Sequence, residues 1–385
     1  MKKEMCNTLT NISISKKKIG WGILGPGAIA RQFAHCLVLL DDAEIVAAGS
    51  RSLARAEEFC AEYGGRAYGS YEELCADPDV DIVYVATPHP FHEQHVILAC
   101  NSGKNVLCEK PFAVNHAQAE RMVEAARCNG VFLQEGLWSR FFPAWQYVRE
   151  GIASGRFGAL RQVRCATCWG MTDDDIDVNG RLMNPALAGG SLLDAGSYSL
   201  AAMTFARGKY DYPTYLTSHM QFEKLTPVDS DVDMMMLFED GFSAYLQSGF
   251  HRNDQQCELV CEHTTLTIPI NRNPSRIYIR DNPPFWAFWS PDHAPGLNLE
   301  EARRARMRSL PFSQRRGNNT AGGDMTALDF PYEAEGFQFE AESVQNCLRE
   351  GLLENPQAPL EETLLISAIA DEVRRQGGLR YPFEV

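Results

Sequence analysis

Apolar positions in the first third of the chain recur with two alternating periods. Short runs at Ile19–Leu24, Glu44–Gly49, Arg66–Tyr68, Asp81–Ala86, Asn105–Cys108 and Val131–Gln134 predict strands. Between the first two, Ile29, Phe33, Cys36, Leu37 and Leu40 fall at the 3.6-residue period of a helix, and Leu53, Ala56, Phe59 and Tyr63 do so in the next interval. Gly64-Gly65, Asp77-Pro78-Asp79 and Ser102-Gly103 punctuate the elements. Repeated β-α units predict an α/β domain over residues 18–138, a doubly wound parallel sheet of the Rossmann kind with right-handed crossovers.

After Arg140 the period changes. A helical stretch, Pro143–Ser154, leads into strands that alternate with period two: Val163, Cys165, Thr167 and Trp169 share one face, and Leu216, Ser218, Met220 and Phe222 another. Val232, Met234, Met236 and Phe238 repeat the pattern, as do Phe242, Ala244, Leu246 and Phe250 beyond the turn Glu239-Asp240-Gly241. Helices close the chain at Glu335–Glu350 and Leu360–Gln376. Residues 139–385 are thus expected to form an α+β domain with a large, open, mostly antiparallel sheet. One covered face leaves the other to pair subunits, so a homodimer or higher homo-oligomer is expected. The segment Asn282–Asp324 has little period and holds the aromatic run Phe285–Trp289, the basic stretch Arg303–Arg308 and a polar run Ser313–Gly323. An irregular segment of that length is either functional or mobile, and the aromatics read as core ahead of lid.

No stretch approaches the roughly 18 consecutive apolar residues of a membrane helix, so no span is expected. Residues 1–17 carry lysines but no long apolar run, because Thr8, Thr10, Asn11, Ser13 and Ser15 interrupt it; they read as a flexible tail, not a secretory signal. The net charge of −14 opposes contact with a polyphosphate backbone, which disfavours nucleic acid as a partner. Twelve cysteines without scaffold spacing, many inside apolar segments, read as reduced thiols of a cytoplasmic protein.

The first strand–helix junction reads Gly25-Pro26-Gly27-Ala28-Ile29-Ala30, a G-x-G-x-x-A loop. Gly25 permits the tight turn, Gly27 lets backbone approach a pyrophosphate, and the first helical N–H groups, around Ala28 and Ile29, face the anion. At the tip of the second strand an NAD site normally places an acid for the ribose hydroxyl. Here stand Ser50 and Arg51, with Arg55 one turn on, a set suited to a 2′-phosphate; NADP is therefore expected ahead of NAD. The fourth strand ends at Thr87-Pro88-His89 and the fifth at Glu109-Lys110-Pro111, both at the carboxyl edge where open α/β sheets bind ligands. Lys110, held extended before proline, falls beside the expected nicotinamide. Farther on, Asp194 and Tyr198 are four apart and share one face of a helix opened by Gly189-Gly190.

Metal readings fail on spacing. Cys165 and Cys168, three apart on a strand, point to opposite faces, Cys257 and Cys261 lie about 13 Å apart, and His89, His92 and His95 have no third ligand in sequence. No metal is expected.

Four segments, G-P-G-A-I-A from Gly25, A-T-P-H-P-F-H from Ala86, G-K-N-V-L-C-E-K-P from Gly103 and A-G-G-S-L-L-D-A-G-S-Y from Ala188, resemble the glucose–fructose oxidoreductase and inositol dehydrogenase (Gfo/Idh/MocA) family. Within it, Glu135–Pro143 is similar to the dihydrodiol and D-xylose dehydrogenase branch. The resemblance implies an NAD(P)-dependent oxidoreductase in which Lys110 and Tyr198 are the catalytic pair with Asp194 assisting, and it puts His92 near the cofactor. It also implies an aldose, polyol or trans-dihydrodiol substrate; inositol is disfavoured, since many inositol dehydrogenases carry histidine where Tyr198 stands. Free tyrosine, with a pKa near 10, is a poor base, and the Lys110 ammonium is expected to lower it. Trp138, Arg140, Phe141 and Trp169 are candidates to line the substrate. Two rivals stay open, an NAD-dependent glycosidase of the same family and a non-catalytic NAD(P)-binding sensor.

Overall fold

A computed structural model describes residues 18–282 and 325–384. The expected tail at residues 1–17, the aromatic run Phe285–Trp289, the basic stretch and the polar run all lie outside the described residues.

The first unit contains β1 (Ile19–Leu24), α1 (Ala28–Leu37), β2 (Ala43–Gly49), α2 (Leu53–Tyr63), β3 (Arg66–Tyr68), α3 (Tyr71–Ala76), β4 (Ile82–Val85), α4 (His92–Asn101), β5 (Asn105–Glu109), α5 (His116–Asn129) and β6 (Leu133–Gly136). Its six strands are parallel in the order β3-β2-β1-β4-β5-β6, with the order reversing between β1 and β4. Ile82–Val85 is buried at every position because helices cover both faces, which is why these strands read as continuous apolar runs. The helices end where their residues dictate. Asn115 caps α5 by accepting from the Gln118 N–H, and Gly130 ends it in the left-handed region at φ 63°.

The second unit contains α6 (Pro143–Ala153), β7 (Leu160–Trp169), α7 (Ser197–Arg207), β8 (Tyr215–Phe222), β9 (Asp229–Leu237), β10 (Ser243–Gly249), β11 (Asn253–Asp254), β12 (Cys257–Cys261), β13 (Thr264–Ile268), β14 (Arg276–Asp281) and β15 (Met325–Asp329). The sheet runs β15-β14-β13-β12-β7-β10-β9-β8, with β11 beside β7; only the β7–β10 pair is parallel. One face packs Val163, Leu246, Val232 and Leu259 against Leu200 and Met203 of α7. The other is uncovered, so β8 alternates between exposed and half-buried positions.

The two closing helices, α8 (Phe337–Arg349) and α9 (Leu360–Gly377), turn back toward the first unit. Phe337, Ala341 and Val344 join Trp21, Phe33 and Tyr84 in one core, where the Phe33 and Tyr84 rings stack at 3.9 Å. Each large side chain fully buried there stabilises the fold by roughly 1.5–3 kcal/mol. The chain from 139 onward thus builds the sheet unit and also packs a helix onto the first one. No described helix is long and apolar enough to cross a membrane.

Candidate active site

The carboxyl ends of β1, β2, β4 and β5 open into a crevice of about 1160 Å³ that reaches across to Trp169, Asp194 and Tyr198 of the second unit. Its first wall is the glycine loop. Gly25 turns at φ 88°, and a Cβ there would meet the Thr87 side chain at 2.8 Å. A Cβ at Gly27 would meet nothing within 4 Å, so this backbone faces open crevice. Helix α1 starts at Ala28 and Ile29 with neither a capping side chain nor an acid in its first turn, leaving N–H groups aimed at whatever anion sits there. The start of α2 is likewise uncapped and acid-free, and Ser50, Arg51, Ser52 and Arg55 line the crevice beside it. Two anion cradles on neighbouring strands, one rich in hydroxyls and guanidinium groups, fit the pyrophosphate and the ribose phosphate of a dinucleotide.

The loops after β4 and β5 are tied together beneath the crevice. The ring nitrogens of buried His92 lie 2.6 Å from the Thr87 carbonyl oxygen and 2.9 Å from that of Pro111. Pro88 and His89 line the wall above, and burial, with His92 and Lys110 nearby, holds His89 neutral and far below its ordinary pKa. Glu109 accepts from the Tyr84 hydroxyl and, at 3.1 Å, from the Lys110 backbone N–H. Burial raises its pKa. The Lys110–Pro111 peptide is cis.

Across the crevice, the glycine turn leads into one π-helical turn, Leu192–Gly196, and then α7. This places Asp194 and Tyr198 on the crevice side while Leu193, Leu200 and Met203 enter the core. Lys110 Nζ donates to the Asp194 carboxylate at 3.0 Å and to its carbonyl at 2.8 Å, and it stands 4.8 Å from the centre of the Tyr198 ring. Trp138 Nε1–H donates to Tyr198 Oη at 2.9 Å, and Trp169 Nε1–H donates to Asp194 Oδ2 at 3.0 Å. Burial alone would raise the Asp194 carboxyl; Lys110 and Arg181 beside it hold it well below the carboxylate range. Burial would likewise lower Lys110, but Asp194 and Tyr198 raise it, so it stays an ammonium.

The expected lowering of Tyr198 does not hold in this arrangement. Burial raises its pKa by more than the Lys110 charge and the Trp138 hydrogen bond lower it, and the Glu109 carboxylate raises it further. The phenol therefore stands protonated at neutral pH. Its oxygen accepts from Trp138, which leaves its own O–H for a ligand in the crevice.

Two of the residues expected along the substrate are placed elsewhere. Arg140 is 3% exposed and forms a bidentate ion pair with Glu362 at 2.5 and 3.0 Å, and Phe141 is buried; neither lines the crevice. Their neighbour Trp138 does line it, though stacked on Phe337 with its N–H committed to Tyr198. Trp169 lines it too. Sequence reasoning missed Arg181, Arg272 and Asn273, which reach the crevice from the segment after β7 and the β13–β14 turn. No local pattern marks them; only strand pairing across the sheet brings them in.

Residues 19–137 match the family described as "Oxidoreductase family, NAD-binding Rossmann fold", and residues 145–267 match the "GFO/IDH/MocA C-terminal domain". The chain is 33% identical over 369 residues to a trans-1,2-dihydrobenzene-1,2-diol dehydrogenase of Mus musculus, covering 94% of this chain and 98% of that one. It is 33% identical over 401 residues to a D-xylose 1-dehydrogenase (NADP(+)) of Hypocrea jecorina, covering 94% and 93%. Among solved structures, an aldose-aldose oxidoreductase from Caulobacter crescentus complexed with glycerol shares the fold at TM-score 0.76 and 22% identity, over 94% of this chain and 98% of that one. A crevice lined by the glycine loop at the strand-order reversal, the two matched domains and near full-length similarity agree: the chain belongs to the GFO/IDH/MocA family of oxidoreductases.

Proposed function

We propose that this protein is an NADP-dependent dehydrogenase or reductase acting on a secondary carbinol or carbonyl carbon of an aldose, polyol or trans-dihydrodiol. The observation that carries the reading is the convergence of Lys110, from the first unit, and Tyr198, from the second, on one crevice. Gly25, Gly27, Ala28 and Ile29 hold the pyrophosphate. Ser50, Arg51 and Arg55 hold the 2′-phosphate, and Thr87, Pro88, His89 and Glu109 line the crevice toward the nicotinamide, with His92 fixing the loops behind it. When bound, the nicotinamide supplies or accepts the hydride. Tyr198 handles the proton: in reduction its O–H protonates the carbonyl oxygen as the C–H bond forms, and in oxidation its phenolate takes the hydroxyl proton as the hydride leaves. Lys110, fixed by Asp194, stabilises the phenolate that reduction produces. The relatives named for dihydrodiol and xylose oxidation support this substrate range. An intact Lys110–Asp194–Tyr198 cluster favours chemistry over a silent sensor.

We also assign the uncovered sheet face to a second copy of the chain. Tyr215, Leu237 and Tyr245, each at least 40% exposed, lie on that sheet. Sedimentation should give a species of about twice the chain mass; a monomer at micromolar concentration would remove the assignment. For the chemistry, a screen of aldoses, polyols and trans-dihydrodiols with both coenzymes should show net change in absorbance at the reduced-nicotinamide band, greater with NADP. Glycoside cleavage with no net change would replace the reading with the glycosidase one.

A further inference from the structure

The substrate end of the crevice holds more positive charge than the hydride-transfer reading uses. Lys110, Arg181 and Arg272 all line it. Asp194 answers the first two: Arg181 donates to Oδ1 at 2.8 Å, with its side chain still 55% exposed. Arg272 has no such partner. Its guanidinium lies 5.3 Å from the centre of the Trp169 ring, its Nε–H is buried without a hydrogen bond, and no carboxylate among the described residues pairs with it.

The nearby acids are otherwise engaged. Asp194 already takes Lys110, Arg181 and the Trp169 N–H, while Glu109 is tied to Tyr84 and the Lys110 backbone. Glu335 also lines the crevice, but it is solvent-exposed and makes no ion pair with Arg272; it accepts a thiol hydrogen bond from Cys36 at 3.3 Å. The coenzyme's phosphates are accounted for at the far end, by the starts of α1 and α2. Oxidised nicotinamide is itself cationic, so a third cation next to it is unfavourable in a low-dielectric crevice unless an anion completes the site. Trp169 holds the guanidinium plane by cation–π contact and is itself fixed through Asp194, so Arg272 is preset before any ligand arrives. Its guanidinium offers the fork of paired N–H groups that matches a planar or tetrahedral oxyanion.

We propose that the hydroxylated substrate carries an oxyanion, a carboxylate or a phosphate, and that Arg272 receives it, with the free edge of Arg181 alongside. The proposal rests on reading this crevice as the hydride-transfer site, and within the hydroxylated substrates of that reading it selects those that carry an oxyanion. The test is calorimetric titration of the NADPH-loaded full-length protein with D-glucose, D-glucuronate and D-glucose 6-phosphate. At least one of the two anions should bind about tenfold or more tightly than D-glucose, as expected of charge-assisted hydrogen bonds in a partly dry site. The advantage should shrink between about 20 and about 300 mM salt, vanish in Arg272→Gln and return in part in Arg272→Lys. The uronate and phosphate arms tell the two oxyanions apart. Equal affinity for all three sugars, no binding of either anion, or an advantage that survives in Arg272→Gln would overturn the proposal. Anion binding without any coenzyme turnover would leave it standing and overturn the hydride-transfer reading instead. Turnover of neutral sugars without anion preference would do the reverse.

Discussion

Trp138→Phe isolates a single interaction at the atom proposed to carry the proton. The indole N–H donates to Tyr198 Oη at 2.9 Å, and the ring stacks on Phe337 at 4.3 Å. Phenylalanine keeps most of the stack and removes the donor. A hydrogen bond contributes about 0.5–1.5 kcal/mol to a neutral acceptor and about 1.5–3 kcal/mol to a charged one, so its loss penalises the phenolate over the phenol by about 1–1.5 kcal/mol. At 1.36 kcal/mol per pKa unit, the Tyr198 pKa should rise by about one further unit. Burial already sets that pKa above its ordinary value, so oxidation should gain rate as pH climbs toward the alkaline range. In the variant the whole rising limb should move up by about one pH unit, and at any pH below it kcat/KM should fall about tenfold. Reduction, which needs the protonated phenol, should lose much less. The assay is kcat/KM for coenzyme reduction across pH 7 to about 10.5 in both proteins, with thermal unfolding as the control for packing. An unshifted limb would refute the claim that Trp138 tunes the acid–base group.

Other perturbations separate binding, chemistry and scaffold. Lys110→Ala should cut turnover at least about a hundredfold with the NADP dissociation constant little changed; wild-type rates would remove Lys110 from the chemistry. Arg51→Ala should weaken NADP by about tenfold or more and NAD hardly at all, and equal losses in coenzyme titrations would defeat the 2′-phosphate assignment. Arg140→Ala, which strands buried Glu362, should cost about 3–5 kcal/mol in denaturant unfolding while leaving coenzyme affinity intact; a stable variant would show that the ion pair does not matter to the fold. Asp229 lies buried under the glycine turn, accepting from the Ser191 hydroxyl at 2.9 Å and the Leu192 N–H at 2.6 Å, and burial raises its pKa to about 6. Its folded pKa exceeds the unfolded value, so the folded state binds the extra proton. The group's contribution is fully present below the unfolded value near 4 and is lost as pH climbs through about 6, by about 3 kcal/mol in all. Asp229→Asn should flatten unfolding stability across that window, and an unchanged pH profile would contradict the assignment.

The first unit was legible because its signals are local. Buried parallel strands leave continuous apolar runs, and turn residues fix their ends; the six predicted strands lie within two residues of the observed bounds at every end. That Lys110, Asp194 and Tyr198 line one crevice was legible from a strand end and a helical spacing, while the roles expected of them came from the family resemblance. Three features escaped for the opposite reason. Arg140 sits beside Trp138 in sequence, but its charge is answered by Glu362 from α9, more than two hundred residues away. Arg181 and Arg272 enter the crevice from a loop and a turn whose positions depend on the completed sheet. The Tyr198 pKa depends on how much water the crevice excludes, and a sequence does not display desolvation. Helix α8 likewise reads as amphipathic, and nothing in its residues says that its apolar face meets α1 and not its own sheet.

The most direct check joins the amine of Lys110 and the phenol of Tyr198 to one chemical event. Single-turnover formation of reduced coenzyme should be followed with a protiated and a deuterated secondary alcohol in the wild type and in Tyr198→Phe, with NADP affinity measured alongside. The account predicts a primary isotope effect in the wild type and a loss of at least about a hundredfold in the hydride-transfer rate of Tyr198→Phe at unchanged coenzyme affinity. Hydride transfer at the wild-type rate in Tyr198→Phe would contradict it.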